Sequence, residues 1–190
     1  MAKIKKGWII AAIIIVILLM FVSSIAGKYN TLVSANENIN GMWSQVQNNL
    51  QRRADLIPNL VETVKGYAAH EESIFSEVAQ ARSRLIGASG VDDTAEANAQ
   101  LSGALGRLLA ISEAYPQLKA DQNFRALQDE LAGTENRIAF ARKDYNEAVQ
   151  LYNTSIKRFP SNIIAGIFNF GERDYFQADE ASQQTPQVKF

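Results

Sequence analysis

The chain has 190 residues, with 19 Lys+Arg, 20 Asp+Glu, one His and no Cys, for a formal charge of −1. That balance gives no reason to expect nucleic-acid binding, the missing Cys excludes disulfides, thiolate chemistry and Cys-ligated metal centres, and one His excludes a two-imidazole site. At 47% hydrophobic residues the chain is apolar enough to bury a core of ordinary size.

Gly7 to Gly27 carry no charge. As a helix they reach roughly 32 Å at ~1.5 Å per residue, enough to cross a hydrocarbon core of ~30 Å. Trp8 and Tyr29 stand where interfacial aromatics belong, and Ile13, Leu18 and Phe21 lie between them. Lys3, Lys5 and Lys6 precede the run, whereas only Lys28 comes after it before Arg52. The positive-inside rule then places residues 1–6 in the cytoplasm and residues 29–190 outside, with one crossing of the inner (cytoplasmic) membrane. A cleaved signal peptide ending near Ser24-Ile25-Ala26 is the competing reading, but the run exceeds the usual apolar region of such peptides. Residues 29–190 keep 15 basic and 20 acidic side chains, a net of −5. Such a body does not cling to anionic lipid by charge alone.

From Leu32 onward apolar residues recur every three and four positions. One row runs Trp43, Leu50, Ile57, Val64, Val78 and Leu85; a second runs Ile39, Val46, Leu60, Tyr67, Ile74 and Ala81. Both keep a seven-residue step, the seam of helices packed at shallow angles. Arg53 and Glu71 interrupt the rows. Pro58 removes one backbone hydrogen bond, yet the apolar phase runs through it, so the spacing predicts a kink and not an end. A break is expected near Gly66–Glu71. The stretch 88–94 reads as a loop, with Gly90 as stop signal and Asp93 or Thr94 as helix cap. The next helix spans about 94–113 and ends at Tyr115-Pro116. Asp121 caps the last long helix, whose seam is Phe124, Leu131, Ile138, Tyr145, Tyr152 and Phe159, closed by Pro160.

The expected fold is all-α: an N-terminal transmembrane helix (7–27), then an elongated up-and-down antiparallel bundle (29–160). It has two long helices, about 29–67 and 122–159, and two short ones, about 71–88 and 94–113. The bundle core comprises Trp43, Leu50, Ile57, Val64, Phe124, Leu131, Ile138, Tyr145 and Tyr152. Residues 161–176 form an aromatic membrane-proximal segment, too short to span. It either lies at the interface or, the preferred reading, packs under the bundle. Residues 177–190 form a polar tail.

Several groups invite a chemical reading. His70-Glu71 lacks a second His four residues on, so it is not a zinc-protease motif. Asp92-Asp93 is not continued by a series of oxygen ligands. Arg52, Arg53 and Asp55 can bind an anion, but pairing with Glu130, Glu135 or Glu147 on the opposing helix is the preferred reading. No nucleophile–base pair stands out. No cofactor, no metal and no enzymatic activity are expected.

Arg52-Arg53-Ala54-Asp55-Leu56-Ile57-Pro58-Asn59-Leu60-Val61, with Val64-Lys65-Gly66-Tyr67-Ala68 and His70-Glu71 after it, resembles the signature of the LemA family. Ala81-Arg82, Glu113-Ala114-Tyr115-Pro116, Leu118-Lys119-Ala120, Asn123-Phe124, Thr134-Glu135 and the Tyr-Asn pairs at 145–146 and 152–153 match its pattern in order. The resemblance implies a bacterial single-pass membrane protein with a helical bundle and supplies no catalytic residue. The magnetosome protein MamQ is similar to this family, and its link to membrane invagination implies work on membrane. The resemblance also implies an envelope partner such as a TPM-domain protein or an HtpX-like protease. Two functions are therefore expected as alternatives. One is a scaffold that contacts membrane lipid and self-associates as a homo-oligomer through its membrane-proximal half, with 71–113 as a free tip. The other is an accessory subunit of one envelope protein. Gln47 and Asn153 are expected at the associating surface and Ser89 at the tip.

Overall fold

The computed structural model describes residues 6–177, and among them there are six helices and no strand. They are α1 (Lys6–Lys65), α2 (Glu72–Gly87), α3 (Val91–Ala114), α4 (Pro116–Ala120), α5 (Gln122–Lys157) and α6 (Ser161–Ile167). The chain is therefore all-α. The tail from 178 onward and residues 1–5 lie outside the described residues. Two units divide the rest: one holds the chain up to Asn40 with Ala148–Arg173, the other Gly41–Glu147 with the chain from Asp174.

The larger unit is the bundle proper, in which the later part of α1, α2, α3 and the first part of α5 run up and down in turn. The predicted rows become its core. Leu50, Ile57, Val64, Phe124, Leu131, Ile138 and Tyr145 are all buried, joined by Val78, Leu101 and Leu108 from the two short helices. Burying one such side chain is worth about 1.5–3 kcal/mol, so the row supplies most of the reason these helices associate. Trp43 departs from full burial and is half-buried.

Helix ends reflect local chemistry. α1 stops at Lys65, α2 begins at Glu72, and the break falls across the Gly66–Glu71 stretch. Gly90 has φ +81°, a left-handed conformation open to Gly. It takes the cap position, so α3 begins at Val91, three residues before the expected start. Thr94 Oγ1 donates to the Gly90 carbonyl at 2.6 Å, and the Asp93 carboxylate reaches back to the Ser89 N–H at 2.7 Å. Pro116 ends α3 and opens the short α4. Asp121 then accepts the Phe124 N–H at 2.9 Å and caps α5.

The smaller unit contains the apolar start of α1. Trp8, Ile13, Leu18 and Phe21 are exposed there, in a segment long and apolar enough to cross a membrane. No break separates this segment from the remainder of α1, contrary to the expectation of a separate helix from 29. Lys28 changes the solvent that the sequence suits, not the backbone preference, and the helix continues. It also continues through Pro58. Further along this unit, Leu32 and Ile39 of α1, Val149, Tyr152 and Ile156 of α5, and Ile164 and Ala165 of α6 are buried.

Two expectations about surface position change. Tyr67 and Asp121 meet at the end where α1 turns into α2, so the far end of the bundle is built from 66–71 and 115–121. The α2–α3 turn lies instead beside Gln47, Leu50 and Ala54, lining one cleft with them. Of the tip expected at 71–113, only the two ends adjoin the far end, and the turn that holds Ser89 lies near Gln47 instead. Asn153 is not a surface position either: it is buried against the backbone of Arg173.

Candidate functional site

Three consecutive residues of α1 tie it to α2, α3 and α5. Arg52 reaches α5, where its Nη2 lies 2.6 Å and its Nε 3.0 Å from Glu130 Oε1. Arg53 is buried; its Nη1 donates to Asn98 Oδ1 of α3 at 2.8 Å and lies 2.8 Å from Glu135 Oε2 of α5. The Ala54 carbonyl accepts Arg82 Nε of α2 at 2.8 Å.

Pro58 explains the last of these. In a helix the carbonyl of residue 54 bonds to the N–H of residue 58, and proline has none. The orphaned acceptor is served from the neighbouring helix by a charged donor. Pro58 itself is exposed, so its ring meets no neighbour in the core. Arg53 interrupts the apolar row because it is the buried half of this polar tie. Burial pushes its guanidinium below the ordinary value, and the Glu135 carboxylate opposes that shift. Of the expected acidic partners, Glu147 does not join; it faces Lys143 on its own helix at 3.5 Å. Asp55 accepts from Gln51 Nε2 at 2.8 Å. Asn59 is exposed, and its carbonyl accepts the Thr63 hydroxyl.

The far end gathers other motif residues. The Tyr67 hydroxyl donates to Asp121 Oδ2 at 3.0 Å. The Asp121 carboxyl is held below the usual range by the Phe124 N–H and then by that hydroxyl, and the same bond raises the Tyr67 phenol. Gly66 comes directly after the end of α1, and Glu71 stands at the cap position before α2 with no side-chain cap bond. His70 is exposed, and Tyr115 is half-buried before Pro116. Among the described residues, no three His, Asp or Glu side chains gather as a metal site.

The chain after α6 supplies partners that the sequence does not announce. In the bundle unit, Phe176 is buried beside Trp43, whose ring lies 5.4 Å from Tyr145 and 6.1 Å from Phe176. The Arg142 guanidinium stacks over Phe176 at 4.5 Å. Asn146 pairs with both backbone groups of Phe176, at 2.8 and 3.0 Å, and Tyr145 donates to the Asp174 carbonyl. In the smaller unit, Asn153 pairs with both backbone groups of Arg173 at 2.9 Å, and burial raises the Tyr152 phenol.

These ties fall on residues of the motif noted in the sequence, and a family model agrees: the LemA family model matches residues 42–190. The chain belongs to the LemA family. Magnetosome protein MamQ 1 of Paramagnetospirillum magneticum is 30% identical over 217 residues, covering 98% of this chain and 80% of its own length. Magnetosome protein MamQ of Magnetospirillum gryphiswaldense is 28% identical over 206 residues, covering 93% and 76%. Protein LemA of Metamycoplasma hominis is 28% identical over 156 residues, covering 81% and 71%. In this LemA-family chain Arg52, Arg53 and Pro58 hold helices together.

Proposed function

We propose that this chain is a non-enzymatic, membrane-anchored structural protein of the bacterial envelope. It self-associates and organises membrane or partner proteins. The observation that carries the reading is how the polar motif residues are used: Arg52, Arg53 and Arg82 all bind other helices of the same bundle. The apolar start of α1 supports single-pass anchoring, and the lysines flanking it support a cytoplasmic N-terminus with the bundle outside. Phe140, 68% exposed on α5, supports association with another protein surface.

The test is the size of the full-length protein in mild detergent, with Cys placed at Lys143 beside Phe140 for crosslinking in membranes. A homo-oligomer that crosslinks at Lys143→Cys is the expected result. A monomer that co-purifies with one envelope protein, of the TPM-domain or HtpX-like class that the family resemblance implies, would replace the scaffold by an accessory subunit.

A further inference from the structure

α6 has two unlike faces. Ile164 and Ala165 are buried, as are Leu32, Tyr152 and Ile156 of the same unit. Ile163 and Ile167, four residues apart and so on one face, are 54% and 70% exposed, flanked by Phe159 at 80% and Phe168 at 49%. Four large apolar side chains are thus turned to solvent from one short stretch, 159–168.

Their place relative to the anchor decides what covers them. Tyr29 comes directly after Lys28, the first charge beyond the apolar run. Its ring lies 4.7 Å from Phe168 and 5.7 Å from Phe170. Phe168 therefore stands level with the position where α1 leaves the hydrocarbon, in the zone where aromatic rings settle in a bilayer. From Val22 to Tyr29 the helix rises about 10 Å, comparable to the ~5–10 Å depth at which interfacial helices lie. α6, at seven residues, is about 10 Å long and cannot span a core of ~30 Å. Lys28 and Arg158 are exposed beside this stretch and suit anionic headgroups.

We infer that α6 is a second membrane contact: it packs on α1 and α5 with Ile164 and Ala165, and it seats Phe159, Ile163, Ile167 and Phe168 in the headgroup zone of the bilayer that holds the anchor. The sequence offers packing under the bundle and lying on the membrane as alternatives, and the two faces of α6 serve both. The contact makes the membrane part of the fold around Tyr29. This inference rests on the single-pass anchoring proposed for α1.

The chain has no native Cys, so single nitroxide labels report depth cleanly. The full-length protein carrying Leu18→Cys, Ile163→Cys, Ile167→Cys or Ser89→Cys is labelled and reconstituted in phosphatidylcholine/phosphatidylglycerol vesicles. Collisions with oxygen, which partitions into lipid, are compared with those of a water-soluble nickel chelate. The expected result is oxygen dominance at Leu18, Ile163 and Ile167, with the ratio inverted at Ser89. If Leu18 reports lipid but Ile163 and Ile167 match Ser89, the α6 contact is wrong and the anchor stands. Low collision with both probes, together with spin–spin broadening between labelled copies, means that a second copy covers the face, and that also overturns it. A Leu18 label exposed to nickel removes the anchor and this inference with it.

Discussion

Replacing Arg82 by Met keeps most of the side-chain stem and removes the donor that serves the Ala54 carbonyl. A hydrogen bond from a charged group contributes about 1.5–3 kcal/mol. Arg82 is half-buried, so water can partly replace it, and about 1.5–2 kcal/mol is the expected loss. The same substitution in a Pro58→Ala background should cost far less. Alanine at that position brings back the N–H that proline lacks, the Ala54 carbonyl regains its own helical donor, and only the small packing difference between the Arg82 and Met side chains remains, about 0.5 kcal/mol. The coupling between the two sites should therefore be roughly 1–1.5 kcal/mol, above the ~0.5 kcal/mol within which independent sites add. Pro58→Ala alone is not diagnostic, because recovering a helical bond and loosening the unfolded chain work in opposite directions. The assay is urea unfolding of the full-length protein in mild detergent, monitored by circular dichroism, for wild type, both single variants and the double. Equal losses for Arg82→Met in the two backgrounds would refute the claim that Arg82 is there to satisfy a carbonyl orphaned by proline.

Trp43→Ala should destabilise by about 2–3 kcal/mol in the same urea assay, below the full cost of deleting a buried Trp because the ring is half-buried. Phe176→Ala should cost about 3 kcal/mol or more, since Phe176 is fully covered; a Phe176 variant with an unchanged urea midpoint would mean that the segment after α6 does not pack in solution. Acid is a second probe. Asp93 is held below the usual carboxylate range by the Ser89 N–H, and Asp121 by the Phe124 N–H. Their folded pKa values lie below the unfolded ones, so their contribution is whole above about pH 3.9 and is lost as pH falls further through the folded values. Asp121→Ala should flatten the decline in urea midpoint as pH falls below about 4, relative to wild type; an unchanged slope would remove Asp121 from the acid response.

Long helices with seven-residue rows are legible in the sequence because periodicity is a local property repeated many times. Leu50, Ile57 and Val64, or Phe124, Leu131 and Ile138, each declare the same face. Gly90 and Pro116 are legible because each restricts the backbone within one residue. What depends on distant partners is not. Arg53 reads as a fault in a row until Asn98 and Glu135 stand opposite it. Pro58 reads as a kink, although its missing N–H already announces a carbonyl needing a donor. Phe176 sits in an extended stretch with no period, so nothing nearby in sequence marks it as core. Trp43 starts an apolar row, but a row of that kind does not say how completely its first member is covered. The continuity of α1 past Lys28 is hidden because a charge marks the end of a lipid-compatible run and says nothing about the end of a helix.

Successive residues step about 100° around a helix. Positions 52, 53 and 54 therefore sweep about 200° of the circumference of α1, and along that arc they meet α5, then α3 together with α5, then α2. At this level α1 is gripped from more than half its girth, and the grip is chiral. Sliding the helix by one residue rotates every one of these positions by about 100° and translates it by only ~1.5 Å, so no shifted register can bring all three back to their partners. An apolar seam with a seven-residue repeat tolerates a slip of seven almost for free; these three adjacent residues do not. They act as an index mark for the bundle, selecting one alignment among several that the apolar rows alone would accept.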